Sequence, residues 1–169
     1  KMLSHDDNAT LYNDSIVAQI VKRFQKEDAV VIYVPDHGEE CYEEDRGFIC
    51  RNHSANIDWP LAHYEFEIPF WIYCSPKYIR NHRDIYRQIR KAKDKRFMTD
   101  ALPHLLLYLA GIETPTYKEE YNILSPKYNE MRPRILKNSA DYDQLRDEHL
   151  EKVEKEKSKK EKSKKGDKK

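Results

Sequence analysis

The fold of this chain is decided by one stretch, VVIYVPDHGEE, at residues 30–40. Its first five residues form an uninterrupted apolar run rich in β-branched side chains. Such a run predicts a strand buried on both faces, as in the parallel sheet of an α/β protein. Ligands of these sheets bind outside the carboxyl ends of the strands, which is where Asp36 and His37 follow. The stretch therefore predicts an α/β fold and a functional site at the end of this strand.

Asp36 and His37 form a candidate half-site for a divalent cation. Neighbouring side chains of a regular strand point to opposite faces, so both reach one ion only if the backbone turns. Gly38 permits that turn because it lacks a Cβ and tolerates positive φ. A carboxylate oxygen and an imidazole nitrogen suit Zn²⁺ or a similar ion. The alternative interpretation is a strand-to-loop turn whose polar side chains face solvent.

Length and charge limit the class of protein. A chain of 169 residues fits about one domain, and its formal net charge of +1 indicates no polyanionic partner such as nucleic acid. The segment 151–169 differs, with ten lysines against five acids. No apolar stretch approaches the roughly 20 residues that span a bilayer. The start of the chain, which is Lys rather than Met, shows no signal-peptide pattern and suggests a fragment.

Helical and extended patterns flank the central stretch. Apolar spacing predicts an amphipathic helix over 7–26, capped by Asp6 or Asp7. A long loop is expected over 38–62, because its charged residues show no sustained period. Downstream, the patterns predict a strand at 67–74, a helix from Ser75-Pro76 to about 93, a helix from Thr99 or Asp100 to Gly111, loop over 115–126, a short strand at 134–136, a helix over 141–153 and a disordered tail.

Three cysteines, Cys41, Cys50 and Cys74, are too few for a disulfide framework. Cys41 and Cys50 bracket the loop after the Asp-His-Gly stretch and can pair in an oxidising compartment. Free thiols are an equal alternative, because the distance between them is not visible in the sequence.

Several segments in a fixed order resemble the phosphoethanolamine transferases of bacterial envelopes, within the alkaline phosphatase/sulfatase superfamily. The matching segments are DNATLYND at 7–14, VIYVPDHGE at 31–39, EIPFW at 67–71, FMTD at 97–100, LPH at 102–104 and LAGI at 109–112. The resemblance implies a partial alkaline-phosphatase/sulfatase-like mixed sheet flanked by helices. It covers the C-terminal portion of the family's catalytic domain, taken as residues 1–145, and leaves 146–169 as a charged tail, helical and then disordered.

By this resemblance Asp36 and His37 are ligands of a catalytic zinc ion, and the family contains one or two such ions. A further family histidine later in the loop matches His53 best, although Ser54 stands where the family often has Gly. His63 is the second choice for that role. Asn8 matches an Asp-Asn motif and is expected to cap the first helix. Glu39 and Glu40 are interpreted as loop charges rather than partners of the histidines.

The resemblance implies transfer of phosphoethanolamine from phosphatidylethanolamine to lipid A or another envelope glycan. The expected location of the parent protein is the periplasmic face of the bacterial inner membrane. The family's threonine nucleophile and membrane helices lie upstream of the matching region, so no catalytic nucleophile is expected here and the chain alone is expected to be inactive. The alternatives are a sulfatase or phosphodiesterase-type hydrolase of the same superfamily and a non-catalytic remnant.

Overall fold

The computed structural model describes residues 2–42, 49–50 and 56–166. Two compact units divide the chain, the first formed by Lys1–Pro35 with Pro69–Arg132 and the second by Asp36–Ile68 with Pro133–Lys169. The elements in chain order are α1 (Met2–Phe24), β1 (Val30–Tyr33), β2 (Glu40–Cys41), β3 (Ile49–Cys50), α2 (Trp59–Phe66), β4 (Trp71–Cys74), α3 (Pro76–Asn81), α4 (Arg83–Ala92), a 3₁₀ turn (Thr99–Ala101), α5 (Leu102–Leu109), a 3₁₀ turn (Glu119–Tyr121), β5 (Ile135–Leu136), β6 (Ala140–Asp141) and α6 (Tyr142–Gly166).

The first unit contains the predicted strand β1, which pairs with β4. The two strands run antiparallel, with Val30 opposite Cys74 and Tyr33 opposite Trp71, so the expected parallel pairing is wrong for this pair. All four residues of β1 are half-buried rather than covered on both faces. An apolar run indicates that a strand is buried, but it does not indicate whether the neighbouring strand runs parallel or antiparallel to it. The mixed helix-and-strand architecture is confirmed.

Helix α1 is longer than the sequence predicted, because it begins at Met2. Asp6, Asp7 and Asn8 therefore lie inside the helix, and the expected capping by these residues is wrong. Most of its apolar stripe is exposed in the described structure, including Leu11 at 67% and Ile20 at 45%.

The predicted helix after β4 is divided into α3 and α4 at His82, whose backbone leaves the helical region (φ −126°, ψ 51°). Ser75 caps α3 as predicted, because its Oγ accepts a hydrogen bond from the Tyr78 amide at 3.0 Å. The same hydroxyl donates to the Glu27 carbonyl at 2.6 Å. One serine therefore ties the start of α3 to the turn before β1.

The core of the first unit lies between α4, α5 and the 122–125 segment. Ala92, Leu105, Ile123 and Leu124 are its buried residues, and half-buried aromatic and aliphatic side chains surround them. The 122–125 segment is a loop, as predicted, and it is buried because Asn122 satisfies the backbone locally by accepting from the Leu124 amide at 3.1 Å. Helix α5 is preceded by a 3₁₀ turn without a side-chain cap, so Thr99 and Asp100 do not cap it. Gly111 follows its end with φ +65°, as a glycine C-cap should.

The second unit contains α2, which replaces part of the predicted loop at 38–62. Asp58 caps this helix by accepting from the Leu61 amide at 3.0 Å, and Pro60 occupies its first turn. This is the same cap-and-proline signal that predicted the start of α3. The loop interpretation missed it because the helix is only eight residues long and shows little periodicity.

Helix α6 and two short hairpins complete the second unit. The predicted strand near Ile135 is confirmed as β5, and it pairs with β6 across a turn in which Lys137 and Asn138 have positive φ. Helix α6 continues to Gly166, beyond the predicted end at Val153. Pairs such as Lys155 with Glu151, at 3.1 Å, favour the longer helix, and its first glycine is Gly166. Within the described residues, none of the helices is sufficiently long and apolar to cross a membrane.

Candidate metal centre

Asp36 and His37 belong to the second unit and follow the end of β1 after two intervening residues. The Oδ2 atom of Asp36 is 3.6 Å from Nε2 of His37. The carboxylate is 89% exposed, whereas the imidazole is 25% exposed. The other carboxylate oxygen of Asp36, Oδ1, accepts a hydrogen bond from the His37 amide at 3.1 Å. The structure therefore brings both predicted ligands to one place, with the carboxylate open to solvent.

A hydrogen bond fixes the orientation of the His37 ring. Its Nδ1 atom lies 2.8 Å from the carbonyl oxygen of Gly38. A carbonyl can only accept, so Nδ1 carries the proton and donates, and Nε2 keeps its lone pair in the neutral ring. Histidines that bind metals generally donate their second ring nitrogen in this way, which sets the tautomer. Nε2, on the side of Asp36, is thus the nitrogen whose lone pair is available to bind a metal ion.

Gly38 is required for a different reason from the one the sequence suggested. Its φ is not positive; among the described glycines only Gly111 has that conformation. A Cβ on Gly38 would lie 2.1 Å from the carbonyl oxygen of Tyr64 in α2. The Gly38 amide donates to the Glu65 carbonyl at 2.9 Å. The absence of a side chain lets the backbone pack directly against α2, and this contact holds the carbonyl that orients His37.

The donor set of Asp36 and His37 fits half of a zinc site. Two ligand atoms about 2.0 Å from one tetrahedral ion lie about 3.3 Å apart, close to the separation observed between Oδ2 and Nε2. Among the described residues there is no group of three or more His, Cys, Asp or Glu side chains that would hold a metal. The third predicted ligand, His53, lies outside the described residues and stays a prediction.

His63, the second choice for the later histidine, takes part in other contacts. Its Nδ1 lies 3.0 Å from Oε1 of Glu67, four residues later in the chain. The ring stacks on Trp59 with the ring centroids 5.4 Å apart, and Trp59 also stacks with His149 at 5.3 Å. These contacts give His63 a place in the packing of α2 against α6.

Glu67 also accepts a hydrogen bond from the hydroxyl of Tyr142. Burial by itself would raise the pKa of Glu67, but the Tyr142 and His63 hydrogen bonds hold that pKa below its ordinary value. Burial and the same carboxylate raise the pKa of Tyr142. The guanidinium of Arg134 lies over the Tyr142 ring at 4.3 Å and pairs with Asp143 at 2.6 Å. This network contributes to the packing around Ala62, Leu136 and Tyr142 in the second unit.

Two buried carboxylates of the second unit were not anticipated. Glu40 and Glu65 are each only 1% exposed, so the interpretation of Glu40 as a loop charge is wrong. A carboxylate in such a place needs a cation or hydrogen-bond donors beside it. The sequence analysis did not identify Glu65, because it assigned the first half of α2 to a loop and gave residues 63–66 no element.

Local structure accounts for the environments of His104 and Cys74. His104 accepts from the Lys118 amide at 3.1 Å and packs against Tyr117 and Tyr121, as a packed or surface histidine. The backbone register places Cys50 opposite Glu40 and Cys41 opposite Ile49. Cys74 is a free, buried thiol whose pKa is raised by burial, which keeps it unreactive.

The sequence of this chain is similar to a known protein family and to individual members of it. The family model described as Sulfatase matches residues 1–112. Phosphoethanolamine transferase EptC of Escherichia coli O18:K1:H7 (strain RS218 / NMEC) is 32% identical over 147 residues, covering 82% of this chain and 24% of EptC. The Kdo(2)-lipid A phosphoethanolamine 7''-transferase of Escherichia coli (strain K12) is 27% identical over 99 residues, covering 57% of this chain and 16% of that protein. The chain thus spans about a quarter of the length of EptC.

Two solved structures also resemble this chain. The crystal structure of the C-terminal periplasmic domain of EcEptC from Escherichia coli superposes with a TM-score of 0.65 at 30% sequence identity. The match covers 82% of this chain and 39% of that one. The same domain in complex with Zn matches with the same TM-score, identity and coverage.

Proposed function

Because this chain belongs to the sulfatase family, we propose that it forms the C-terminal part of the catalytic domain of a zinc-dependent phosphoethanolamine transferase. The observation that carries this proposal is the pairing of Asp36 with His37, whose ring is oriented by the Gly38 carbonyl. The names of the relatives and the zinc complex of the EcEptC domain support it. The proposed location is the periplasmic face of the bacterial inner membrane, supported by the likeness to a periplasmic domain.

The residues of this chain would contribute charge and a fixed donor atom. Asp36 supplies a negative charge that retains a cation, and His37 supplies a neutral nitrogen at Nε2. Bound zinc would neutralise the anionic phosphodiester and lower the pKa of an attacking oxygen. The hydrogen bond to the Gly38 carbonyl keeps the His37 ring in one tautomer and orientation, so its donor atom is positioned before the ion binds.

The proposed reaction is a double displacement at phosphorus. A threonine oxygen from a part of the enzyme outside this chain bonds to the phosphorus of phosphatidylethanolamine, while the bond to the diacylglycerol oxygen breaks and that oxygen takes a proton. An acceptor hydroxyl or phosphate on lipid A or another envelope glycan then displaces the threonine. The substrate assignment is supported by the relative named as a lipid A transferase.

A transfer assay on the enzyme that contains this chain tests the proposal. The substrate is phosphatidylethanolamine with a fluorescent acyl chain, and lipid A is the acceptor. We expect fluorescent diacylglycerol together with lipid A that has gained phosphoethanolamine, and we expect His37→Ala to abolish both. His104→Ala is the matched control. It also removes an imidazole, but this one contacts Lys118 and two tyrosines and is not a candidate metal ligand, so activity should remain.

A hydrolase of the same family is the second candidate, since the matching family model is that of sulfatases. The fate of the headgroup distinguishes the two. Free phosphoethanolamine without modified lipid A identifies a phosphodiesterase, and cleavage of an aryl sulfate ester without release of diacylglycerol identifies a sulfatase. Either result would overturn the transferase proposal.

A further inference from the structure

The segment from Lys77 to Arg96 concentrates positive charge in an otherwise balanced chain. It contains nine bases against two acids, whereas the formal net charge of all 169 residues is +1. This density is unusual for the solvated side of a helix pair, where charges of both signs normally alternate. The segment contains all of α3 and α4 after Pro76.

Most of these cations are exposed. Seven of the nine side chains are exposed to solvent: Lys77, Arg80, Arg83, Arg87, Arg90, Lys91 and Lys93. In the described part of the chain, ion pairs hold two of the seven, Arg87 with Asp84 at 3.0 Å and Lys93 with Asp94 at 3.6 Å. Both pairs are themselves exposed, so solvent and salt weaken them. We call these seven residues the basic face.

Four residues of the basic face belong to α4 and lie opposite the buried side of that helix. At about 100° per residue, Arg83, Arg87, Arg90 and Lys91 fall within a stripe of about 100°. Ile85, Ile89 and Ala92 fall on the opposite side and pack in the core of the first unit. The core therefore fixes the rotation of α4 about its axis and directs the four cations outward.

We infer that the basic face is a docking surface for the anionic headgroups of a lipid bilayer. A straight helix of ten residues, about 15 Å long, presents its cations to a plane of phosphates all at once. Each Lys or Arg close to an anionic membrane strengthens binding by about fivefold, and the effect decays within the Debye length. Nucleic acid fits less well, because the sequence pI of about 7.8 lies far below that of typical nucleic-acid-binding domains. The contact is independent of the metal site and of the proposed transfer reaction.

Vesicle sedimentation of the full chain tests this inference. We expect binding to vesicles of phosphatidylglycerol with phosphatidylcholine, no binding to pure phosphatidylcholine, and loss of binding at high salt. Arg83→Gln, Arg87→Gln and Arg90→Gln together should weaken binding by about a hundredfold. The triple Arg→Lys variant at the same positions keeps the charges and should bind like the wild type, which separates loss of charge from loss of fold.

The matched control removes three charges from the other basic segment. Lys152→Gln, Lys157→Gln and Lys159→Gln change the net charge equally on the exposed side of α6. Binding that falls with this variant and persists in the Arg→Gln variant would assign the contact to the tail and overturn the inference. Equal affinity for neutral vesicles, or binding to an RNA duplex at a salt concentration that abolishes vesicle binding, would also overturn it.

Discussion

The carbonyl oxygen of Gly38 accepts a hydrogen bond from Nδ1 of His37 at 2.8 Å, so Nε2 of His37 is the ring nitrogen that lies beside Asp36. Two backbone contacts with α2 secure this arrangement: the Gly38 amide donates to Glu65, and the bare Cα approaches the Tyr64 carbonyl. The candidate metal ligands are therefore coupled to the position of a helix more than 20 residues later in the sequence.

Replacement of both candidate ligands, Asp36→Ala with His37→Ala, should weaken zinc binding by the chain about tenfold or more, because the charge and the oriented nitrogen are both lost. Isothermal titration with Zn²⁺ measures the change. In the wild type, binding should also weaken at acid pH, since ligands must be deprotonated. Asp94→Ala with His104→Ala removes the same chemical groups elsewhere and should leave the affinity unchanged. Equal affinities for the two double variants would refute the site.

Gly38→Ala should destabilise the chain by about 1–3 kcal/mol, because its Cβ would meet the Tyr64 carbonyl oxygen and force the backbone away from α2. Urea unfolding measures this loss. The variant should also bind zinc more weakly, because the carbonyl that orients His37 moves with it.

Gly111→Asn is the control for that experiment. A Cβ at Gly111 would meet no atom within 4 Å, and asparagine adopts positive φ more readily than most residues, so this variant should lose less stability than Gly38→Ala. A Gly38→Ala protein as stable as Gly111→Asn would show that the contact with Tyr64 is unimportant.

Tyr142→Phe should lower the free energy of unfolding by about 1–2 kcal/mol at neutral pH, because the hydrogen bond to the Glu67 carboxylate is lost. The pKa of Glu67 is depressed in the folded state, so its contribution is present above the ordinary value of 4.5 and is lost as the pH falls through the lowered pKa. The difference between wild type and variant should therefore narrow below about pH 4.5. Urea titrations between pH 3 and 7 measure it.

Tyr12→Phe provides the comparison, since Tyr12 is 70% exposed. Its stability should equal that of the wild type at every pH. A Tyr142→Phe effect that stays constant from pH 3 to 7 would argue against the link to Glu67.

Arg132→Lys should cost about 1 kcal/mol of stability, because lysine cannot reproduce the two hydrogen bonds of 2.5 and 2.6 Å to the Asp100 carboxylate. The guanidinium also lies 4.5 Å from the centroid of the Tyr121 ring, a contact that lysine would weaken. Combining this change with Asp100→Asn in a double-mutant cycle isolates the coupling between the two residues.

The exposed pair of Arg87 with Asp84 serves as the reference. Its side chains are 70% and 85% exposed, so Arg87→Lys should change stability by less than about 0.5 kcal/mol. The Arg132 side chain, by contrast, is only 20% exposed. Coupling energies of the same size for the two pairs would show that burial of the arginine does not strengthen the interaction.

The sequence by itself determined the features that depend on local chemistry. The apolar run at β1, the serine cap of α3, the glycine after α5 and the order of the family segments are all properties of neighbouring residues, and each is confirmed. Asp36 and His37 were predicted as metal ligands on the same kind of signal, their residue types and their place after a strand, and that role stays a prediction.

Tertiary structure alone decided the features that depend on distant residues. The antiparallel pairing of β1 with β4 and the approach of Tyr64 to Gly38 each bring together segments that are 25 residues or more apart in the chain. The burial of Glu40 and Glu65 depends on packing. Sequence periodicity reports which side of an element is apolar, but it does not report which partner covers that side. This is why Gly38 was predicted to permit a turn through positive φ, whereas in the structure its backbone packs closely against α2 and its carbonyl orients His37.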